Sequence, residues 1–533
     1  MRDTGGPTVT MALEDRMTGA ESLLRTAAAC GITVCFANPG TSEMHFLAAL
    51  DAVPAIRPVL GLFEGGVTGM ADGFARVTGR PALTLLHLGT GLSNGTANLH
   101  NARRARSPVV NVVGEHASYH NRWDSPLRTD IAALARPASD WLRTCAGAAA
   151  AATDVALAVV AAQEAPGRIA TLILPADAAW GMCDGAAGPL PAPPPAWIDM
   201  AATERAAIVL EERGPSSVIL VSRAAGSEAG LGALERVCAV TGARPMADMI
   251  AARQWRGAGV FPVSRVPYRA EDVVSELAGM TDLVLVGTAP PVAPFAYPDY
   301  PSWCVPDGTA ILCLAQEHED EVLALEALAD RLGAAVRKNR WSAPPRPDRP
   351  SGSLTARSVG RSIARHLPEG SIVSEEAISN GPAILAEMAA AARHLHLPLT
   401  GGAIGQGIPL ATGAAVGAPD TKVLNIQADG SAMYTLQALW TQAREGLDVV
   451  TVILANRAYG VLKAEVERVG ARLAGNARAA ALLQIDNPTL DFVALAAGMG
   501  VAATRAATAE AFDDQLAEAM GQRGPRLIEA VLA

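Results

Sequence analysis

Short runs dominated by Val, Ile and Leu recur along the chain, at 109–113, 171–174, 218–221, 283–286, 311–314, 423–426 and 449–454. They are shorter than ordinary helices and show no polar alternation, so each reads as a strand buried on both faces. Ala-rich stretches with helical spacing lie between them. Strands alternating with helices predict parallel sheets covered by helices on both sides. Two proline-rich stretches, 189–195 (PLPAPPP) and 344–350 (PPRPDRP), can continue neither a helix nor a central strand. They divide the chain into 1–188, 196–343 and 351–533. The expected fold class is α/β, with three doubly wound parallel-sheet domains.

The first and third parts share a local plan. In the first, a small-residue helix at 65–79 (GGVTGMADGFARVTG) precedes a strand at 82–87 and a glycine turn at 89–91. In the third, a small-residue helix at 405–417 precedes the strand at 423–426 and the turn Asp429-Gly430. This suggests two related domains flanking a different one, although any two α/β units share this much pattern.

Half of the residues are hydrophobic and 18% are charged, which excludes a disordered chain and predicts large cores. The balance of 43 basic against 53 acidic residues gives a net charge of −10, with no basic block. A nucleic-acid partner is not expected. The apolar stretch at 145–160 is interrupted by Asp154 and reads as a helix rather than a membrane span. The first ten residues hold no apolar signal segment. Seven cysteines without a C-x-x-C argue against a disulfide framework or zinc site and for a reducing cytoplasm.

The most informative stretch is 423–463, VLNIQADGSAMYTLQALWTQAREGLDVVTVILANRAYGVLK. One strand ends at Ala428-Asp429-Gly430-Ser431, a helix is expected over about 434–445, and a second strand ends at Ala455-Asn456. In a parallel βαβ unit both strand tips lie at one sheet edge, where ligands bind. Asp429 and Asn456 can therefore meet across 26 intervening residues. One anionic and one neutral oxygen suit Mg2+, which takes its remaining ligands from water and phosphate. Gly430 admits a phosphate, and Ser431 with the following helix start offers donors. Alone, Asp-Gly reads as a turn; the whole constellation reads as a cation and diphosphate site.

This constellation resembles the thiamine-diphosphate enzymes, whose signature is Gly-Asp-Gly followed about two dozen residues later by Asn-Asn. Ala428 and Ala455 replace the first Gly and first Asn, neither of which contributes a ligating side chain. The resemblance implies thiamine diphosphate and Mg2+ as cofactors, with Asp429, Asn456 and the Ala458 carbonyl on the metal. Glu64, in VLGLFEGGVTGMADGFAR, resembles the glutamate that engages the aminopyrimidine ring, although a Glu at a helix N-terminus also has a purely structural use. The segment 401–409 (GGAIGQGIP) resembles the loop that receives that ring. By this resemblance Gly402 contacts the pyrimidine and Ile404 is the apolar wedge that bends the cofactor. Glu376, Ala377, Gly430, Ser431, Tyr434, Tyr459 and Gly460 complete the cofactor set.

The resemblance covers nearly the whole chain and is nearest to the acetolactate synthase large-subunit-like and benzoylformate decarboxylase branch. It includes 38–43 (NPGTSE) and His87 in LLHLGTG. It implies that Thr41 touches the substrate carboxylate and that His87 relays a proton. His120, in GEHASYHNRWDSPL, lies on a loop near the same mouth. The implied activity is decarboxylation of a 2-oxo acid, with or without ligation to an aldehyde or keto acceptor. The alternative is a cofactor-binding but non-catalytic partner subunit. The resemblance also implies a homodimer as the minimum unit, with a homotetramer common. Three departures limit it. The stretch 283–298 holds no histidine where benzoylformate decarboxylase has one. Glu465 stands where acetolactate synthases carry Trp. No G-x-G-x-x-G supports FAD.

Overall fold

All seven apolar runs lie inside strands of the computed structural model, which describes residues 16–533 except 192, 193, 195, 196, 298, 337–340, 342, 343 and 472–476. The signal-segment reading of the first ten residues, and parts of the two boundary regions, lie outside the described residues. Six strands form the first parallel sheet: β1 (Val34–Asn38), β2 (Arg57–Leu60), β3 (Ala82–Leu86), β4 (Val109–Glu115), β5 (Trp141–Thr144) and β6 (Ile169–Pro175). Their order is β2-β1-β3-β4-β6-β5. The second sheet holds β7 (Ser217–Val221), β8 (Arg244–Ala247), β10 (Ser264–Arg265), β11 (Asp282–Val286) and β12 (Ala310–Ala315), in the order β10-β8-β7-β11-β12. Between β8 and β10 the chain leaves that sheet. Its strand β9 (Gln254–Arg256) pairs antiparallel with His394–His396 at the edge of the third sheet.

The third sheet adds β13 (Ile372–Glu376), β14 (His394–Pro398), β15 (Val423–Ala428), β16 (Val449–Ala455), β17 (Ala502–Ala506) and β18 (Arg526–Val531). Its order is β9-β14-β13-β15-β16-β18-β17. Without β9 this is the order of the first sheet, strand for strand, whereas the second sheet is wound differently. The expectation of two like units flanking an unlike one is thus met in the topology.

Two equivalent helices follow the second strand of each like unit: α1 (Glu64–Thr78) after β2 and α3 (Gly407–Gly417) after β14. They pack against each other at backbone contact. A Cβ added at Gly73 would lie 2.0 Å from the Leu410 carbonyl oxygen, and one at Gly413 would lie 1.8 Å from that of Met70. The small residues of both helices therefore serve close approach. Beside this seam Asp72 and Arg76 form a fully buried ion pair.

Two local expectations are corrected. The glycines at 89–91 are not a turn but lie within the first turns of α2 (Leu88–Arg104), which starts directly after β3 with Leu88 at φ +50°. The helix expected over 434–445 starts at Asp429 and is two pieces, α4 (Asp429–Thr435) and α5 (Ala438–Glu445), separated at Leu436 and Gln437. Among the described residues no helix is long and apolar enough to cross a membrane.

Candidate active site

The third sheet brings three of the predicted positions together. Glu376, Asp429 and Asn456 follow one another across the tips of β13, β15 and β16, because Glu376 pairs with Gln427 and Ala428 with Leu454. Asp429 is 2% exposed and accepts the Gly430 amide on Oδ1 at 2.8 Å and the Arg457 amide on Oδ2 at 2.6 Å. Burial raises its carboxyl above the usual carboxylate range, against the pull of those two amides. Asn456 accepts the Ala458 amide at 3.1 Å and lies beside Gly460, where a Cβ would be 3.3 Å from its amide nitrogen. The turn between them carries Arg457 at φ +58°. The Tyr459 ring packs over Gly430, and the Tyr459 and Tyr434 hydroxyls interact.

The donors at these tips are oxygens: one carboxylate, one side-chain amide and backbone carbonyls. Among the described residues no cluster of three His, Cys, Asp or Glu side chains is placed for a metal. A cation here would draw on this small hard-donor set and on a phosphorylated ligand, which suits Mg2+ rather than zinc. The buried Asp429 carboxylate, with no cationic side chain bonded to it among the described residues, fits that group.

Glu376 does something the sequence did not indicate. Its two oxygens accept the Gly405 amide at 2.6 Å and the Gly407 amide at 2.5 Å, and Gln427 donates to it at 3.1 Å. Complete burial lifts its carboxyl to about 7 against these donors. Glu376 thus clamps the loop at 401–407, and Gln427 passes the tie to Ser431 at 2.5 Å. Ala377 is fully buried beneath it, its amide donated to Glu375 at 2.9 Å. Gly402 and Gly405 take φ +79° and +92°, a path open to glycine. Ile404 is only half-buried and belongs to no core cluster, unlike an ordinary packed isoleucine.

A second group gathers at the tips of the first sheet. β1 and β3 are neighbours, Asn38 pairing with Leu86, so the loop bearing Thr41 meets His87. His87 Nδ1 lies 2.9 Å from Oε2 of Glu43, which also accepts the Gly40 amide at 2.7 Å. Glu43 is 2% exposed, and burial raises its carboxyl while Gly40 and His87 pull it back. With Nδ1 engaged, Nε2 is the His87 nitrogen left for other partners. Thr41 is exposed at the start of the same loop. Glu64 stands at the first turn of α1, with Asn94 donating to its Oε2 at 2.9 Å. A Cβ at Gly91 would lie 3.1 Å from Glu64 Oε1 and 3.5 Å from His87 Cβ, so the two predicted groups flank that glycine. His120 lies on the loop after the neighbouring β4, but its ring packs on His116 at 5.5 Å and Trp123 at 5.6 Å. It is not joined to His87.

Sequence reasoning missed Glu43, although it closes the NPGTSE motif. A carboxylate's burial beneath a histidine depends on which strands are neighbours. Asn94, Asn98 and Asn101 were also missed. They project from α2, and Asn101 holds both the amide and the carbonyl of Ala403. Glu465, on α6 (Gly460–Arg468), is engaged by the Tyr297 hydroxyl at 2.7 Å and by Arg468.

Two sheets of one topology, with a carboxylate and amide at one set of tips and a glutamate–histidine group at the other, define an α/β enzyme class that binds a diphosphate cofactor. The descriptions "Thiamine pyrophosphate enzyme, N-terminal TPP binding domain" and "Thiamine pyrophosphate enzyme, C-terminal TPP binding domain" match residues 17–134 and 383–530. The chain belongs to the thiamine pyrophosphate enzyme family. It is 48% identical over 516 residues to the Mycobacterium tuberculosis protein IlvX, which carries the provisional name acetolactate synthase large subunit; the match covers 97% of this chain and 99% of that one. It is 29% identical to benzoylformate decarboxylase of Pseudomonas aeruginosa, over 94% and 96% of the two chains. In fold it resembles a thiamine diphosphate-dependent 4-hydroxybenzoylformate decarboxylase from Rhodococcus jostii RHA1. The TM-score is 0.83 at 24% identity, over 97% of this chain and 99% of the other.

Proposed function

We propose that this enzyme releases CO2 from a 2-oxo acid, using thiamine diphosphate held by Mg2+, and then adds either a proton or a second carbonyl compound to the remaining acyl fragment. When bound, the thiazolium ring supplies the nucleophilic carbon and the electron sink. Asp429, Asn456 and the Ala458 carbonyl hold the cation, while Gly430, Ser431, Tyr434, Tyr459 and Gly460 surround the diphosphate. Glu376 and Ala377 act through the loop that presents Gly402 and Ile404 to the pyrimidine. Glu64 takes the ring nitrogen, Thr41 receives the substrate carboxylate, and His87, oriented by Glu43, moves a proton. His120 is the outer member of this set. The observation that carries the reading is the Arg457 amide bonded to Asp429, which closes the gap between the two tips into one oxygen-lined turn.

The two half-sites belong to different copies of the chain. Exposed apolar side chains support this: Met44 and Leu62 beside the Glu64 group, and Met433, Tyr434 and Leu462 beside the Asp429 group. A homodimer is the minimum unit and a homotetramer the working assembly, in the cytoplasm. The three domains divide at the two proline-rich stretches, with β9 reaching from the middle one into the third sheet. No FAD is assigned.

The test is a panel of 2-oxo acids, pyruvate and benzoylformate among them, assayed for CO2 release and for ligated products with Mg2+ and thiamine diphosphate. Glu64→Gln should bind the cofactor and suppress exchange of its C2 proton. A protein that binds the cofactor yet exchanges no C2 proton even as wild type would instead be a non-catalytic partner subunit.

A further inference from the structure

Glu64 has two carboxylate oxygens, and their surroundings differ. Oε2 accepts the side-chain amide of Asn94 at 2.9 Å. Only the amide nitrogen can face a carboxylate, so the orientation of Asn94 is fixed by chemistry. Oε1 lies over Gly91, three residues earlier on the same face of α2, where a Cβ would stand only 3.1 Å away. Glycine inside a helix costs about 1 kcal/mol relative to alanine, and at this position it spares Oε1 the tight contact a Cβ would make.

The donor sits on a fixed frame. The N-terminal turns of α1 are fastened to α2 at two points next to the contact. The Thr68 hydroxyl donates to the Gly95 carbonyl at 2.9 Å, and Asn98 donates to the Gly65 carbonyl at 2.7 Å. The separation between residues 64 and 94 is therefore set by two helix backbones. Asn94 is also uncharged, so it orients the carboxylate without neutralising it, as an Arg or Lys there would.

We propose that Asn94 is a positioning residue that divides the work of the Glu64 carboxylate. It anchors Oε2 and so presents Oε1, across Gly91, to the pyrimidine ring nitrogen of the cofactor. This rests on the reading of Glu64 as the residue that meets that ring.

The test measures binding rather than turnover. Dissociation constants are determined, with Mg2+, for thiamine diphosphate and for the analogue whose pyrimidine N1′ is replaced by carbon. Their ratio reports the contact between Glu64 and the ring nitrogen. Wild type should favour the natural cofactor. Asn94→Ala and the near-isosteric Asn94→Asp should each cut the preference by about tenfold, the size of one lost hydrogen bond to a charged group. Affinity for the analogue should stay within about twofold. Asn94→His, whose ring Nδ1–H lies near the place of the amide nitrogen, should recover part of the preference. An undiminished preference in both Asn94→Ala and Asn94→Asp would overturn the proposal while leaving Glu64 in place. If Glu64→Gln also kept the full preference, the reading of Glu64 itself would fall.

Discussion

Replacing Asp72 by alanine should loosen the first unit from the third at a fully buried polar contact between them. Its carboxylate is fully buried and receives four donors. Arg76 Nε lies at 2.9 Å and Arg76 Nη2 at 2.7 Å, with Ser107 Oγ and Gln406 Nε2 each at 2.5 Å. Arg76 reaches on to the Pro398 carbonyl at 2.8 Å and the Thr400 hydroxyl at 2.7 Å. The alanine variant would leave a guanidinium with 4% exposure and, among the described residues, no counter-charge bonded to it. Breaking a buried pair from one side costs about 3–5 kcal/mol, and each further lost hydrogen bond about 1 kcal/mol. These terms share groups and do not simply add, so a loss of about 4 kcal/mol is expected. Urea unfolding at one fixed protein concentration measures it through the midpoint and slope. The double change Asp72→Leu with Arg76→Met removes both charges and should recover most of the loss. A single-variant loss below about 1 kcal/mol, or a double variant no better than the single one, would show that the pair does not hold the units together.

Glu43→Gln removes the charged partner of His87; losing about 1.5–3 kcal/mol of oriented interaction should lower kcat/KM about ten- to a hundredfold. Unchanged steady-state kinetics with the preferred 2-oxo acid would free His87 from that dependence. Asp429→Ala should weaken Mg2+-dependent cofactor binding by at least about a hundredfold in a fluorescence titration; an unaltered affinity would move the cation elsewhere. Glu376 titrates near 7 in the folded chain, above its unfolded value of 4.5, so its stabilising contribution is complete below about pH 4.5 and is lost as pH rises through 7. The apoprotein should therefore lose up to about 3 kcal/mol more stability than Glu376→Gln between pH 5 and 8. Parallel urea-midpoint profiles for the two proteins would refute this.

The sequence by itself determined the strands built on apolar runs, the class of fold and which residues stand at the tips of those strands. Apolar runs such as 449–454 can be satisfied only inside a sheet covered on both faces, and Asp429-Gly430 and Asn456 each sit at the end of such a run. The place of Glu64, where a strand gives way to a glycine-rich helix, was legible in the same way, whereas the roles of Glu64 and of the 401–409 loop rested on resemblance to a known family. Tertiary structure decided what these groups touch. That Glu43 lies under His87 follows from β1 and β3 being neighbours. That Glu376 clamps a loop rather than facing outward follows from the path of 401–407 over β13. That β9 joins the third sheet, and that Gly73 and Gly413 bring two helices to backbone contact, depends on pairings between residues more than a hundred positions apart. Local propensity acts over a few residues, whereas the neighbour of a strand tip is chosen by the packing of the whole sheet.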